Sequence, residues 1–167
     1  ELYSGASVPF KYKGASQTAI YEDDMADDDT GNYDKNGTLS FDTDHYEFVS
    51  AGNKYFSVKT SESVVGLGGK RYRLSVDAKD GTASGIGFKL QWTDGVTQEF
   101  SSEFTTTSSY TTYSYYFTLN IDDADLVVGV DAVDSTSSNN VEFKNLVLTK
   151  IGAVAEYDGS GVTSTKW

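Results

Sequence analysis

Arg71, Arg73 and Asp77 occupy alternate positions of one apolar/polar alternation. Lys89 and Gln91 do so in the next, and Tyr110, Thr112, Ser114 and Tyr116 in a third. Successive side chains of an extended strand point to opposite faces. If the three strands are neighbours, one outer face mixes flat rings with forked donors and amides. Recognition of a saccharide needs that mixture: rings stack on the apolar face of a pyranose, and Arg, Asp, Lys and Gln bond its hydroxyls in the plane. The candidate binding set is therefore Tyr110, Tyr116, Arg71, Arg73, Asp77, Lys89 and Gln91. Tyrosine and charged residues are also what an ordinary soluble sheet shows to water.

Residue sets for covalent chemistry are missing from the pattern. A nucleophilic triad needs a histidine base, and the single histidine, His45, has no paired nucleophile signature in Thr43-Asp44-His45-Tyr46. Glu99 and Glu103 share one expected strand, which spaces them about 13 Å apart, too wide for a glycosidase pair. The segment Asn32-Tyr33-Asp34-Lys35-Asn36-Gly37 alternates oxygen side chains ahead of a glycine. The twelfth position from Asn32 is Thr43, where a calcium loop needs a bidentate Glu, so it reads as an Asn-Gly turn. Gly66-Leu67-Gly68-Gly69-Lys70 leads into a strand, whereas a phosphate loop opens a helix. No catalytic residues are expected, and the protein is read as a non-enzyme.

The elements that position the candidate residues are strands. Arg71-Tyr72-Arg73-Leu74-Ser75-Val76-Asp77-Ala78 and Gly85-Ile86-Gly87-Phe88-Lys89-Leu90-Gln91-Trp92 put an apolar group at every second residue, with no helical period. Strands are expected near Thr38–Phe41, His45–Val49, Lys54–Lys59, Lys70–Ala78, Gly85–Thr93, Val96–Phe104, Tyr110–Asn120, Asp125–Asp131 and Asn140–Ile151. Asp94-Gly95 reads as a two-residue hairpin turn. Such a series builds an all-β, antiparallel two-sheet β-sandwich.

The inward parity gives a core of Tyr72, Leu74, Val76, Ile86, Phe88, Leu90, Trp92, Phe100, Phe104, Tyr115, Phe117, Leu119, Leu126, Val128, Val130, Phe143, Leu146 and Leu148. The period breaks between Phe143 and Leu146, so a bulge is expected at Lys144-Asn145. Residues 1–18 read as an extended lead-in, 19–152 as the sandwich domain, and 153–167 as a linker or the start of a following module.

Composition narrows the partners. The 167 residues carry a formal charge of −12, which repels a nucleic acid before any local basic patch can act. With no cysteine there is no disulfide and no thiolate nucleophile. No apolar stretch approaches the length of a membrane-spanning helix.

The stretch Asn53 to Ile151 resembles the jelly-roll carbohydrate-binding modules that accompany xylanases and glucanases. The resemblance rests on Asn53-Lys54-Tyr55-Phe56-Ser57-Val58-Lys59, on Gly69-Lys70-Arg71-Tyr72-Arg73-Leu74-Ser75-Val76, on Tyr110-Thr111-Thr112-Tyr113-Ser114-Tyr115-Tyr116-Phe117 and on Val141-Glu142-Phe143-Lys144-Asn145-Leu146-Val147-Leu148. It implies a jelly-roll fold and a non-catalytic module for a polysaccharide or host glycan, carried by a larger extracellular or virion protein.

Two positions depart from that pattern: Tyr110 stands where the family usually has Trp, and Lys144 where its closing strand usually has Asp. The resemblance also implies a structural calcium, for which Glu22, Asp23, Asp24 and Asn145 are the nearest oxygen ligands, unless the Lys144 ammonium takes the cation's place. The ends, with Glu156-Tyr157-Asp158-Gly159-Ser160-Gly161 and Tyr12-Lys13-Gly14-Ala15-Ser16-Gln17-Thr18, are similar to lectin-like segments of phage tail fibres. That implies an alternative: a structural or interaction domain of a fibre or cell-surface adhesin that binds no sugar.

Overall fold

The alternation read from the sequence does produce strands, which pair antiparallel throughout. The computed structural model describes residues 10–50, 54–120, 124–132 and 139–157. Along the chain these form β1 (Phe10–Asp23), β2 (Tyr33–Asn36), β3 (Thr38–Asp42), β4 (His45–Ser50), β5 (Lys54–Val58), β6 (Val64–Gly66), β7 (Arg71–Asp80), β8 (Gly87–Thr93), β9 (Gln98–Phe100), β10 (Phe104–Thr105), β11 (Thr111–Thr118), β12 (Ala124–Ala132) and β13 (Asn139–Tyr157). Short 3-10 turns occur at Thr30–Asn32 and Thr60–Glu62.

The strands make two sheets. The first runs β11-β7-β13-β4-β3, with β1 also on β13. The second runs β10-β8-β12-β5-β2, with β6 on β12 and β9 on β8. One edge of β13 is taken by β7. The opposite edge is shared end to end: β4 pairs with residues 139–143 and β1 with residues 146–157. The changeover falls at Asn145, which adopts left-handed backbone (φ 54°) and shifts the β7 register between Lys144 and Val147. This is the bulge expected there, and its extra residue returns Leu146 and Leu148 to the core. Pairing of β1 with β13 runs from Phe10↔Tyr157 to Asp23↔Leu146, so the boundaries drawn at 18 and 152 fall inside paired strands.

The core lies between the sheets. Tyr72, Leu74, Val76 and Ala78 from β7 meet Phe88, Leu90 and Trp92 from β8, Val128 and Val130 from β12, and Phe143, Leu146 and Leu148 from β13. Each large side chain so buried contributes roughly 1.5–3 kcal/mol. Tyr33, Leu39, Tyr46, Phe48, Phe56 and Val58 extend the core towards the amino-terminal half, and Met25 is fully buried inside the acidic loop that follows β1. Trp92 stacks on Phe117 with centroids 4.9 Å apart, as its parity with Leu90 requires.

Three expectations need correction. Phe100 is 43% exposed rather than buried, because it lies opposite Gln91 on the outer side of β8. The hairpin after β8 has four loop residues, not two: Thr93 pairs with Gln98, and Asp94 Oδ1 accepts the Val96 and Thr97 amides at 2.9 and 2.6 Å. The single strand expected over Val96–Phe104 is broken into β9 and β10. The break is at Ser101, where the hydroxyl accepts the Leu90 amide at 3.0 Å and stands in for a ladder carbonyl.

Candidate functional site

The sandwich separates the seven candidate binding residues onto two opposite faces. Arg71, Arg73 and Asp77 point outward from β7, and Tyr110 and Tyr116 come from the adjoining β11 edge, with Tyr116 opposite Arg73. Lys89 and Gln91 lie on the outer side of β8, which belongs to the second sheet, with Lys89 half-buried and Gln91 buried. The single patch expected from parity does not form. Parity fixes which face of its own strand a residue takes, but not which sheet the strand joins.

On the first sheet most polar groups are committed to one another. Glu142 Oε2 lies 2.7 Å from Lys79 Nζ, 3.3 Å from His45 Nε2 and 3.1 Å from the Tyr110 hydroxyl that donates to it. The Lys79 and Lys144 ammonium groups each sit 5.0 Å from the Tyr110 ring centroid. Lys144 donates to Asp44 Oδ2 at 2.5 Å, which with His45 holds the Asp44 carboxyl below its usual range. Burial, with the Glu142 charge behind it, pushes the Tyr110 phenol up. Asp77 accepts from Thr112 Oγ1 at 2.5 Å and Asn145 Nδ2 at 2.7 Å. Tyr110 is thus fixed by its hydroxyl and covered by cations, which leaves it a poor stacking platform.

The second sheet's outer face is arranged differently. Strand pairing sets its residues in rows: Lys89–Asp131–Tyr55–Asn36, then Phe100–Gln91–Gly129–Ser57–Asp34, then Gln98–Thr93–Val127. The middle row is low because Gly129 has no side chain and Ser57 a short one. A groove of about 500 Å³ follows, lined by Asp34, Tyr55, Ser57, Thr93, Asp94, Asp125 and Val127 among others. Tyr55 is 39% exposed beside the Gly129–Ser57 part of this row, and Phe100, 43% exposed, stands at the row's end. Gln91 is held by the Gln98 amide, which donates to its Oε1 at 3.0 Å. Asp131, opposite Lys89, has its carboxyl raised by burial, and the lysine offsets only part of that shift.

Tyr55, Asp34, Ser57, Gly129 and Asp131 are absent from the candidate set derived from the sequence. Their signal was present in two alternations: Tyr55 and Ser57 flank buried Phe56, and Val127, Gly129 and Asp131 flank buried Val128 and Val130.

Of the four residues named for calcium, Glu22, Asp23 and Asp24 line one cleft with Asp29, Asn32 and Glu62, and the Asn145 side chain does not join them. Asp23 Oδ1 accepts the Met25 amide at 2.7 Å, and its Oδ2 accepts the Tyr33 hydroxyl at 2.6 Å and the Tyr46 hydroxyl at 3.3 Å. Asp24 Oδ1 accepts the Ala26 amide at 3.0 Å. Asn145 approaches Asp24 only through its backbone amide, 3.4 Å from the Asp24 carbonyl, while its side chain turns to Asp77. Lys144 does not substitute for the cation either, since it reaches Asp44 on the outer face of the first sheet. Among the described residues, the ligand atoms that do converge belong to Asp42, His45 and Glu47, all within 4.8 Å of one another.

This architecture is that of the jelly-roll carbohydrate-binding modules, all-β with two antiparallel sheets face to face. Among solved structures, the xylan-binding domain of a family 22 module from Paenibacillus barcinonensis superposes with a TM-score of 0.63 at 8% identity, over 83% of this chain and 98% of that one. A Clostridium thermocellum xylanase fragment, a family 22 module joined to its catalytic module and complexed with xylohexaose, gives 0.60 at 14% identity. That match covers 81% of this chain and 29% of the fragment, so the chain spans under a third of it. The amino-terminal cellulose-binding domain of a Cellulomonas fimi β-1,4-glucanase gives 0.51 at 13% identity, over 79% of this chain and 93% of that one. No family model and no curated protein matches the sequence.

Proposed function

We propose that this protein is a non-catalytic module that holds a polysaccharide chain in the groove of its second sheet. The observation that carries the reading is the juxtaposition of exposed Tyr55 with the low Gly129–Ser57 row and with Asp34, Thr93 and Asp125 around it. A pyranose laid on the Tyr55 ring loses apolar surface to it, while the carboxylates accept from hydroxyls at the ring's edge. Several solved modules of this fold are described as binding xylan or cellulose, which supports the same class of ligand.

A role in hydrolysis has little to stand on. Glu99 lies 3.4 Å from the Tyr115 hydroxyl, the Glu103 side chain lies over Gly87, and the lone histidine faces Asp44 and Glu142. The module fits an extracellular protein of several domains, in which it would keep a partner domain near a glycan surface. No helix of the described residues is long and apolar enough to cross a membrane.

Affinity electrophoresis on a panel of plant and bacterial polysaccharides tests the proposal, followed by calorimetry on the retained one. Tyr55→Ala is expected to weaken binding about tenfold, equivalent to ~1.4 kcal/mol. Tyr116→Ala, on the opposite face, should leave the neutral-chain affinity unchanged. Equal binding by the Tyr55 variant and the parent overturns the groove as the site, and absence of retention on every polysaccharide overturns the proposal and leaves the fibre or adhesin reading.

A further inference from the structure

On the outer face of the first sheet, His45, Lys79 and Lys144 are engaged by carboxylates. Among the described residues, ion pairs join His45, Lys79 and Lys144 to Asp44, Glu47 and Glu142, and none engages Arg71 or Arg73. These two arginines sit two residues apart on the same outward face, in a chain with 25 acidic residues against 13 basic ones. The Arg73 Nε is buried and has no hydrogen-bond partner, which is costly for a charged donor. The Arg71 guanidinium lies 5.3 Å from the centroid of the Tyr116 ring, a ring that is 49% exposed. Strand pairing places Tyr116 on one side of Arg73 and Thr149 on the other.

From these observations we infer a second binding site, formed by Arg71, Arg73 and Tyr116, for a single carboxylate or sulfate group carried on a saccharide. A planar guanidinium presents paired donors that match a carboxylate or sulfate edge. The exposed part of the Tyr116 ring is available to the sugar that bears the anion. The net charge of −12 sets the density of charge that is tolerated. A polyanion meets repulsion from the rest of the surface, whereas one acidic substituent on an otherwise neutral chain does not. The saccharide part of this inference rests on the carbohydrate-binding reading. The site itself lies on the face opposite the groove, so the two can fail separately.

Calorimetry with three probes tests it: a neutral xylo-oligosaccharide bearing one glucuronic acid, the methyl ester of the same compound, and an oligosaccharide bearing one sulfate. The parent protein should bind the free acid or the sulfated probe about tenfold more tightly than the ester. Added salt should erode the difference. Arg71→Gln/Arg73→Gln should abolish the discrimination while ester binding persists. Arg71→Lys/Arg73→Lys, which keeps the charge but loses the fork, should restore only part of it. The ratio of acid to sulfate affinity identifies which anion the site prefers.

Equal affinity of the parent for acid and ester overturns the proposal, as does discrimination that survives the glutamine variant. Loss of ester binding in Tyr55→Ala with acid discrimination intact locates the neutral site in the groove and leaves the arginine site standing. Melting temperatures of both double variants within a few degrees of the parent establish that the fold is intact.

Discussion

The Tyr33 hydroxyl donates to Asp23 Oδ2 at 2.6 Å, and the Tyr46 hydroxyl reaches the same oxygen at 3.3 Å. Two hydroxyls from two sheets therefore converge on the carboxylate that closes β1, since Tyr33 opens β2 and Tyr46 lies in β4. Asp23 ties the end of β1 to both layers, with hydrogen-bond donors on both of its oxygens.

Replacing Asp23 by Asn should destabilise the protein by about 1–3 kcal/mol, because an amide offers one acceptor where the carboxylate serves three donors. The loss should be the same in excess calcium and in EDTA, measured by urea denaturation. A destabilisation seen only in calcium, or a calcium-dependent rise in parent stability that Asp23→Asn removes, would show that Asp23 is a ligand after all.

The same tyrosines predict alkaline unfolding. Burial pushes the Tyr33 and Tyr46 phenols up, and Tyr21 is pushed up to about 12 by burial with Asp23 nearby. Below the ordinary phenol value of about 10 both folded and unfolded chains keep these protons, and the stability is complete. Above it the unfolded chain releases protons that the folded chain retains. Stability then falls by about 1.4 kcal/mol per pH unit for each fully buried group, until the folded value is reached. Denaturation midpoints should decline from about pH 10 upward, and Tyr33→Phe should show the shallower slope. Identical slopes in variant and parent would refute the assignment.

Local pattern carried much of the fold. The alternation in Arg71–Ala78 and Gly87–Trp92 placed Tyr72, Leu74, Val76, Phe88, Leu90 and Trp92 inside, and the break after Phe143 marked the bulge. Two kinds of information lay outside the alternation. The breaks at Asp94 and Ser101 come from side chains that take over backbone hydrogen bonds, which alternation does not encode. Strand order is set by packing between distant segments, so Lys89 and Gln91 could not be separated from Arg71 and Arg73 before the sheets were known. Phe100 shows both effects. Its hydrophobicity suggested the core, but its pairing opposite Gln91 put it on the outer face.

Gly129 links the groove to the packing beneath it. A Cβ at this position would overlap the Phe56 carbonyl oxygen and lie 2.6 Å from Ser57 Cα, both backbone atoms of the neighbouring strand. Neither can move without separating β12 from β5, so Gly129→Ala should cost about 1–3 kcal/mol. The low middle row that Gly129 and Ser57 form would also rise beneath a bound sugar. The variant is therefore expected to melt at a lower temperature and to lose affinity for the polysaccharide that the parent retains. Ser57→Ala, which keeps that row low without crowding the backbone, should retain most of the stability. A Gly129→Ala variant as stable as the parent would show that β5 and β12 are not in the close contact described.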